Sequence, residues 1–334
     1  MALDVLTPVP RRRRRRYRLR RLLPLAVVAT AALVAGVLVG WRGAAAGHAH
    51  AAPPATSSHE RRSAVSHPAA KTTPPARPLV LLHGPPLLAG ELHARLESPE
   101  AILVDAKTGR VLWEKSAHQR RAIASTTKIM TALLALREVP WRQTITVSGS
   151  VSKVPLVREG LRGGEHVQTW KLFYSLLLYS GNDDANQLAI TAAGSVPAFL
   201  VQMNEEARRL GMRDTHFTSP SGVVDQGNYS TAWDLAALTR YALRNLRFRK
   251  LVRTKRIEVP WAPPTNAKIY LNNNWLLHEY RGADGVKTGF TTKSGWCLVA
   301  SATRRGRTLI AVVLDSGNIY ADAKNLLNLG FSHA

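Results

Sequence analysis

Ser125-Thr126-Thr127-Lys128 sets a hydroxyl and an amine three positions apart. On a helix such positions share a face, with β-carbons about 5 to 6 Å apart, so the amine can reach the hydroxyl and remove its proton. The chemistry would be nucleophilic acyl transfer. A lysine in water is almost fully protonated at neutral pH and acts as a base only where burial or a nearby cation lowers its pKa. Lys287 is the candidate for that cation. Alone the tetrapeptide is weak, because a serine-capped helix start with a solvated lysine reads the same way.

Two further segments change its weight. Ser180-Gly181-Asn182 follows an apolar helical stretch and offers a hydroxyl and an amide on a loop. Lys287-Thr288-Gly289 lies in a strand-like run, where glycine lets substrate approach the backbone. Each is ordinary by itself; Lys107-Thr108-Gly109 repeats the second and reads as a hairpin turn. In the order S-x-x-K, S-x-N, K-T-G, on helix, loop and strand, they form the motif set of serine penicillin-binding enzymes.

The elements that must position these residues follow from periodicity. Residues 102–104 and 111–113 read as a hairpin about Gly109. Helical spacing covers residues 125–136, 170–178, 184–193, 197–210 and 231–246, with glycine stops at Ser180-Gly181 and Gly211. Val286 enters a strand, residues 297–302 and 308–314 form a hairpin about Arg304-Arg305-Gly306, and a last helix, 320–329, ends at Gly330. Strands at both ends around a helical block predict an α/β domain, its sheet assembled from the two ends with an inserted helical lobe.

The chain resembles the D-alanyl-D-alanine carboxypeptidases, the low-molecular-mass serine penicillin-binding family, over about residues 101–331. Besides the three motifs, the similar segments are Ala124 with Ile129-Met130-Thr131-Ala132, Asp183, Leu210-Gly211-Met212 with Thr215 and Phe217, Tyr229-Ser230-Thr231-Ala232, and Phe290-Thr291. The resemblance implies a β-lactamase and transpeptidase-like fold, an antiparallel sheet flanked by helices. It implies Ser125 as the nucleophile on the penultimate D-Ala carbonyl and Lys128 as its base. Ser180 and Asn182 would relay the proton and hold the peptide, Lys287 would supply the electrostatic field, and Thr288 would bond the terminal carboxylate. Gly289, Phe290 and Thr291 would complete the substrate-binding strand, with the amides of Ser125 and Phe290 as the oxyanion hole. The partners implied are the peptidoglycan pentapeptide and β-lactams as covalent inhibitors, without metal or organic cofactor.

Departures from the family pattern matter. Residues 315–323 contain no basic side chain, where many members carry an arginine for the substrate carboxylate; this leaves a D,D-endopeptidase of cross-links as an alternative. Val154-Pro155-Leu156-Val157 replaces a Gly-Ser-Ser type stretch, so the cleft rim should differ. No glutamate lies between Glu206 and Glu258, which disfavours a class A β-lactamase, since that enzyme needs a glutamate-activated water there.

Composition adds topology. The formal charge is +24, of which fourteen basic and three acidic residues before residue 93 supply +11, leaving +13 beyond. Such a field suits anionic polymers or membrane surfaces, so a non-catalytic wall- or polyanion-binding protein is a further alternative. Nucleic acid is not expected, because the arginine run at 11–21 abuts a span rather than standing alone. Residues 22–41 are uncharged over the length that crosses a bilayer. The expected organisation is a cytoplasmic Arg-rich tail at 1–21, a membrane anchor or cleavable signal at 22–41, a flexible Pro/Ala-rich linker at 42–92 and a D,D-peptidase domain at 93–334. The positive-inside rule places that domain outside the cytoplasm, or secreted if the segment is cleaved. Cys297 is the only cysteine, which rules out an intrachain disulfide; it reads as a small buried hydrophobe, and His166 and His216 as surface or capping residues.

Overall fold

The computed structural model describes residues 80–82, 96–155, 157–223 and 227–333. The expected tail, membrane segment and most of the linker lie outside the described residues. Residues 80–82, within the expected linker, pack on the domain: Leu81 is buried, and the Leu82 amide donates to Gly109 O at 2.9 Å. A buried leucine there gives the chain a reason to dock that composition alone does not reveal.

The first hairpin is β1 (Glu100–Asp105) and β2 (Val111–Lys115), followed by a 3₁₀ turn, Ala124–Thr127, leading into α1 (Lys128–Glu138). The short strands β3 (Thr144–Thr146) and β4 (His166–Gln168) pair with each other ahead of α2 (Thr169–Tyr174), which continues as a π-type turn, Ser175–Tyr179. Next come α3 (Asn182–Ala193), α4 (Val196–Arg209), α5 (Ala232–Ala242) and α6 (Leu246–Arg253). A two-stranded hairpin, β5 (Arg256–Pro260) and β6 (Ala267–Leu271), precedes α7 (Leu276–Glu279). The chain closes with β7 (Ala283–Thr291), β8 (Gly295–Arg304), β9 (Arg307–Leu314) and α8 (Ile319–Ser332).

The main sheet is antiparallel in the order β2-β1-β9-β8-β7, so the first hairpin joins the last three strands. Alternation decides which layer each side chain enters. Leu103, Leu298, Ala300, Leu309, Ala311 and Val313 pack with Ile319, Ala323, Leu326 and Leu327 of α8. Ile102, Val104, Val299, Ile310 and Val312 face the larger core shared with α1 and α5. The central strands are buried on both faces, which explains their near-continuous apolar runs.

Several expected boundaries move. The 231–246 helix ends at Ala242 and a separate α6 begins after Asn245, whose side chain accepts from the Arg247 and Phe248 amides. Gly330 does not end α8: a β-carbon there would meet Leu309 Cδ1 at 2.6 Å and Leu103 Cδ2 at 2.9 Å, so this glycine brings the helix close to the sheet. At the 180–181 stop the left-handed residue is Ser180, with φ of 77°, and not the glycine.

Candidate active site

Ser125 and Lys128 stand on the 3₁₀ turn and the first residue of α1, a tight turn that keeps them on one side. Lys128 is completely buried, and its Nζ lies 2.8 Å from Ser125 Oγ, 2.8 Å from Asn182 Oδ1 and 3.1 Å from Ser221 O. Burial, and then the positive charge of Lys287, hold the Lys128 ammonium well below the ordinary lysine range. A neutral amine against a hydroxyl is the arrangement that proton abstraction needs.

The three motifs converge. The left-handed turn at Ser180 is held by its own amide on Ser175 O at 2.8 Å, and it presents Ser180 Oγ at the cleft without a protein hydrogen-bond partner. Asn182 is fixed at both ends, its amide donating to Val157 O and its side-chain nitrogen to Pro155 O. On β7, Lys287 is buried, donates to Thr288 O at 2.9 Å, and is pulled down to about 7 by burial. A β-carbon on Gly289 would stand 3.0 Å from the Ser125 amide nitrogen and 3.1 Å from Ala124 Cβ, so the strand passes directly against the nucleophile turn.

The cleft between them has a volume of 540 Å³ and is lined by Ser125, Ser180, Thr288, Gly289 and Phe290, with Val157, Asn273, Trp275, Trp296 and residues 317–320 as its walls. Among the described residues no charged side chain lines it, and the Phe290 ring lies tilted against Trp296 with centroids 4.5 Å apart. Among the expected residues Thr291 stands apart. It is the last residue of β7, paired with Gly295, its hydroxyl donates to Ser294 Oγ at 2.8 Å, and it is not among the residues lining the cleft. His166 and His216 are exposed and Cys297 is buried. Among the described residues no group of three or more His, Cys, Asp or Glu side chains is gathered for a metal.

Sequence reasoning missed parts of the support. The Ser221 carbonyl that accepts from Lys128 comes from a turn visible only as Ser219-Pro220-Ser221-Gly222, and Thr131 Oγ1 ties that turn down through Pro220 O at 2.6 Å. Asp183, noted in the sequence as part of a family-like segment, accepts from the amides of Glu159, Gly160 and Leu161 at 2.8, 2.8 and 2.9 Å and so fixes the cleft rim. Asp184 is buried beside Asp183 and Glu159, and burial first of all pushes its carboxyl well above the usual range, favouring the neutral acid.

Comparison with known proteins matches this geometry to a family. The family profile described as D-alanyl-D-alanine carboxypeptidase matches residues 89–318. The chain belongs to the D-alanyl-D-alanine carboxypeptidase family. A D-alanyl-D-alanine carboxypeptidase of Streptomyces sp. (strain K15) is 36% identical over 67% of this chain and 84% of its own length. One from Bacillus subtilis is 32% identical over 71% of this chain, which spans 62% of that relative. The crystal structure of the Streptomyces K15 DD-transpeptidase is 35% identical with a TM-score of 0.67, over 71% of this chain and 98% of that one. A penicillin-binding protein homolog from Mycobacterium tuberculosis, 28% identical, gives 0.68 over 78% and 97%. The family carries the transpeptidase-like fold that the motifs implied, with an antiparallel sheet between helical layers.

Proposed function

We propose that this carboxypeptidase-family chain removes the terminal D-alanine of peptidoglycan stem pentapeptides through an acyl-enzyme on Ser125. The observation that carries this reading is the buried Lys128 amine, held 2.8 Å from Ser125 Oγ and 2.8 Å from Asn182 Oδ1. Neutral Lys128 takes the hydroxyl proton as Ser125 Oγ bonds to the penultimate D-Ala carbonyl carbon. The amides of Ser125 and Phe290 receive the oxyanion, and backbone donors of this kind each contribute about 10² to 10³ in rate. The C–N bond then breaks. The proton passes by way of Ser180 to the departing amine, leaving an ester on Ser125 and free D-alanine. Water attacks the ester by the same route in reverse, restoring the serine hydroxyl and releasing the shortened peptide.

Thr288, on the cleft wall, is assigned to the terminal carboxylate, with Lys287 supplying positive field from beneath. β-Lactams would acylate Ser125 in the same way, and without a glutamate-activated water the adduct would turn over slowly. The N-terminal segment is proposed as a single-pass anchor, or a signal that is cleaved, placing the domain on the wall side of the membrane; its support is the arginine run ahead of twenty uncharged residues. Among the described residues no helix is long and apolar enough to cross a membrane.

Incubation with an uncross-linked pentapeptide muropeptide and with its cross-linked dimer tests the reaction. Release of D-alanine from the first, abolished in Ser125→Ala, is the expected result. Cleavage of the dimer alone would transfer the assignment to an endopeptidase.

A further inference from the structure

Away from the cleft, α6 and the strand after it concentrate charge of one sign. Residues 244–256 hold Arg244, Arg247, Arg249, Lys250, Arg253, Lys255 and Arg256 and no acidic residue. All seven are exposed. Among the described residues only Arg256 of these has a carboxylate partner, Glu258 at 3.9 Å.

The helix builds this face by its period. Phe248, Leu251 and Val252 are buried, Val252 lying against β7 at Gly285, which turns Arg247, Arg249, Lys250 and Arg253 to the opposite arc. Leu246 sits among those cations with 69% of its surface exposed. In the adjoining hairpin Arg256 is opposite Leu271 and the single carboxylate, Glu258, is opposite Ile269, all four exposed, the two aliphatics by 56% and 54%.

Exposed cations interleaved with aliphatic side chains, with Arg244 and Arg247 lying over the Tyr241 and Trp141 rings at 5.9 and 5.8 Å and, among the described residues, only Arg256 having a carboxylate at hand, select their partner. A soluble polyanion would neutralise the cations and leave Leu246, Ile269 and Leu271 in water. A bilayer bearing anionic headgroups takes both, with phosphates for the cations and the upper acyl region for the aliphatics. We infer that α6 and the β5–β6 hairpin form a docking face for an anionic phospholipid surface. The face is tied to the cleft: Asn272 donates to Val252 O and Thr254 O at 3.2 and 2.9 Å, and the next residue, Asn273, lines the cleft wall. Docking would therefore orient the cleft relative to the bilayer.

Because Cys297 is the only cysteine and is buried, Leu246→Cys gives the full chain one accessible thiol for an environment-sensitive fluorophore. The labelled chain is mixed with phosphatidylglycerol-containing vesicles, with phosphatidylcholine vesicles, and with soluble poly(glycerol phosphate). The expected result is a blue shift with the anionic vesicles only. It should be lost in high salt and in the quadruple charge reversal R247E, R249E, K250E, R253E, and absent from a label at Val201→Cys, an exposed position on α4. Penicillin acylation of the quadruple variant should match the parent, showing that it folds. Equal emission in both lipids, a shift that survives charge reversal, or an equal response to poly(glycerol phosphate) would overturn the inference, the last in favour of a wall polymer.

Discussion

Two lysine amines buried around one serine cannot both keep an ordinary pKa, because burial penalises each charge and each charge penalises the other. Lys128 is held well below its usual range and Lys287 is drawn to about 7. Acylation needs Lys128 neutral, so its rate should rise with pH through the lowered Lys128 value, then fall above about 7 as Lys287 loses its proton. Removing the charge in Lys287→Met relieves Lys128 of its positive neighbour, which raises its pKa and should shift the acidic limb to higher pH. Stopped-flow acylation by a chromogenic cephalosporin across pH measures both limbs; an acidic limb that stays in place would contradict the coupling. At this scale the sequence was informative where function rests on side chains, since Ser125, Lys128, Ser180, Asn182, Lys287 and Thr288 of the three motifs meet at or beneath the cleft. It was silent on the Ser221 carbonyl and on the left-handed Ser180, because a backbone acceptor and a backbone angle leave no residue-type signature.

Short elements do the positioning, and they were the hardest to read. The hairpin β5–β6 and strands β3 and β4 are short with exposed faces, and α6 was missed: the expected helix ran on through its cap, Asn245, to residue 246 and stopped where α6 begins. By contrast β1, β8 and β9 were legible, since burial on both faces leaves unbroken apolar runs. Two substitutions test the supports. Gly222 has φ of 74°, and a β-carbon there would stand 2.0 Å from Ala124 O. Gly222→Ala should therefore displace the nucleophile turn, with a stability loss of about 1–3 kcal/mol by chemical denaturation and slowed acylation. Asp183→Ala removes an acceptor for three amides of the cleft rim. A loss of about 2–4 kcal/mol is expected, with faster hydrogen exchange at residues 159–161; unchanged exchange there would refute the clamp.

Across the whole molecule, the sheet that carries Lys287 is completed by a hairpin from the opposite end of the domain, so the site exists only once both ends have met. Stability and chemistry are then linked through the same buried lysines. Lys287 binds its proton less tightly when folded than at the ordinary value of 10.5, so the unfolded state holds more protons between about pH 7 and 10.5 and this group's contribution to stability rises with pH across that window. Below about 7 its cost is constant. Urea unfolding of the parent and of Lys287→Met at pH 7 and pH 9 should show a gap that favours the variant at pH 7 and narrows at pH 9; a gap independent of pH would contradict the burial of a titrating amine.

The most direct test is intact mass spectrometry after benzylpenicillin, followed by peptide mapping. A single covalent adduct on the peptide containing Ser125, absent in Ser125→Ala and formed at least about 10²-fold more slowly in Lys128→Met, is expected if the amine is the base. An adduct on another residue, or full-speed acylation without the Lys128 amine, would contradict the assignment.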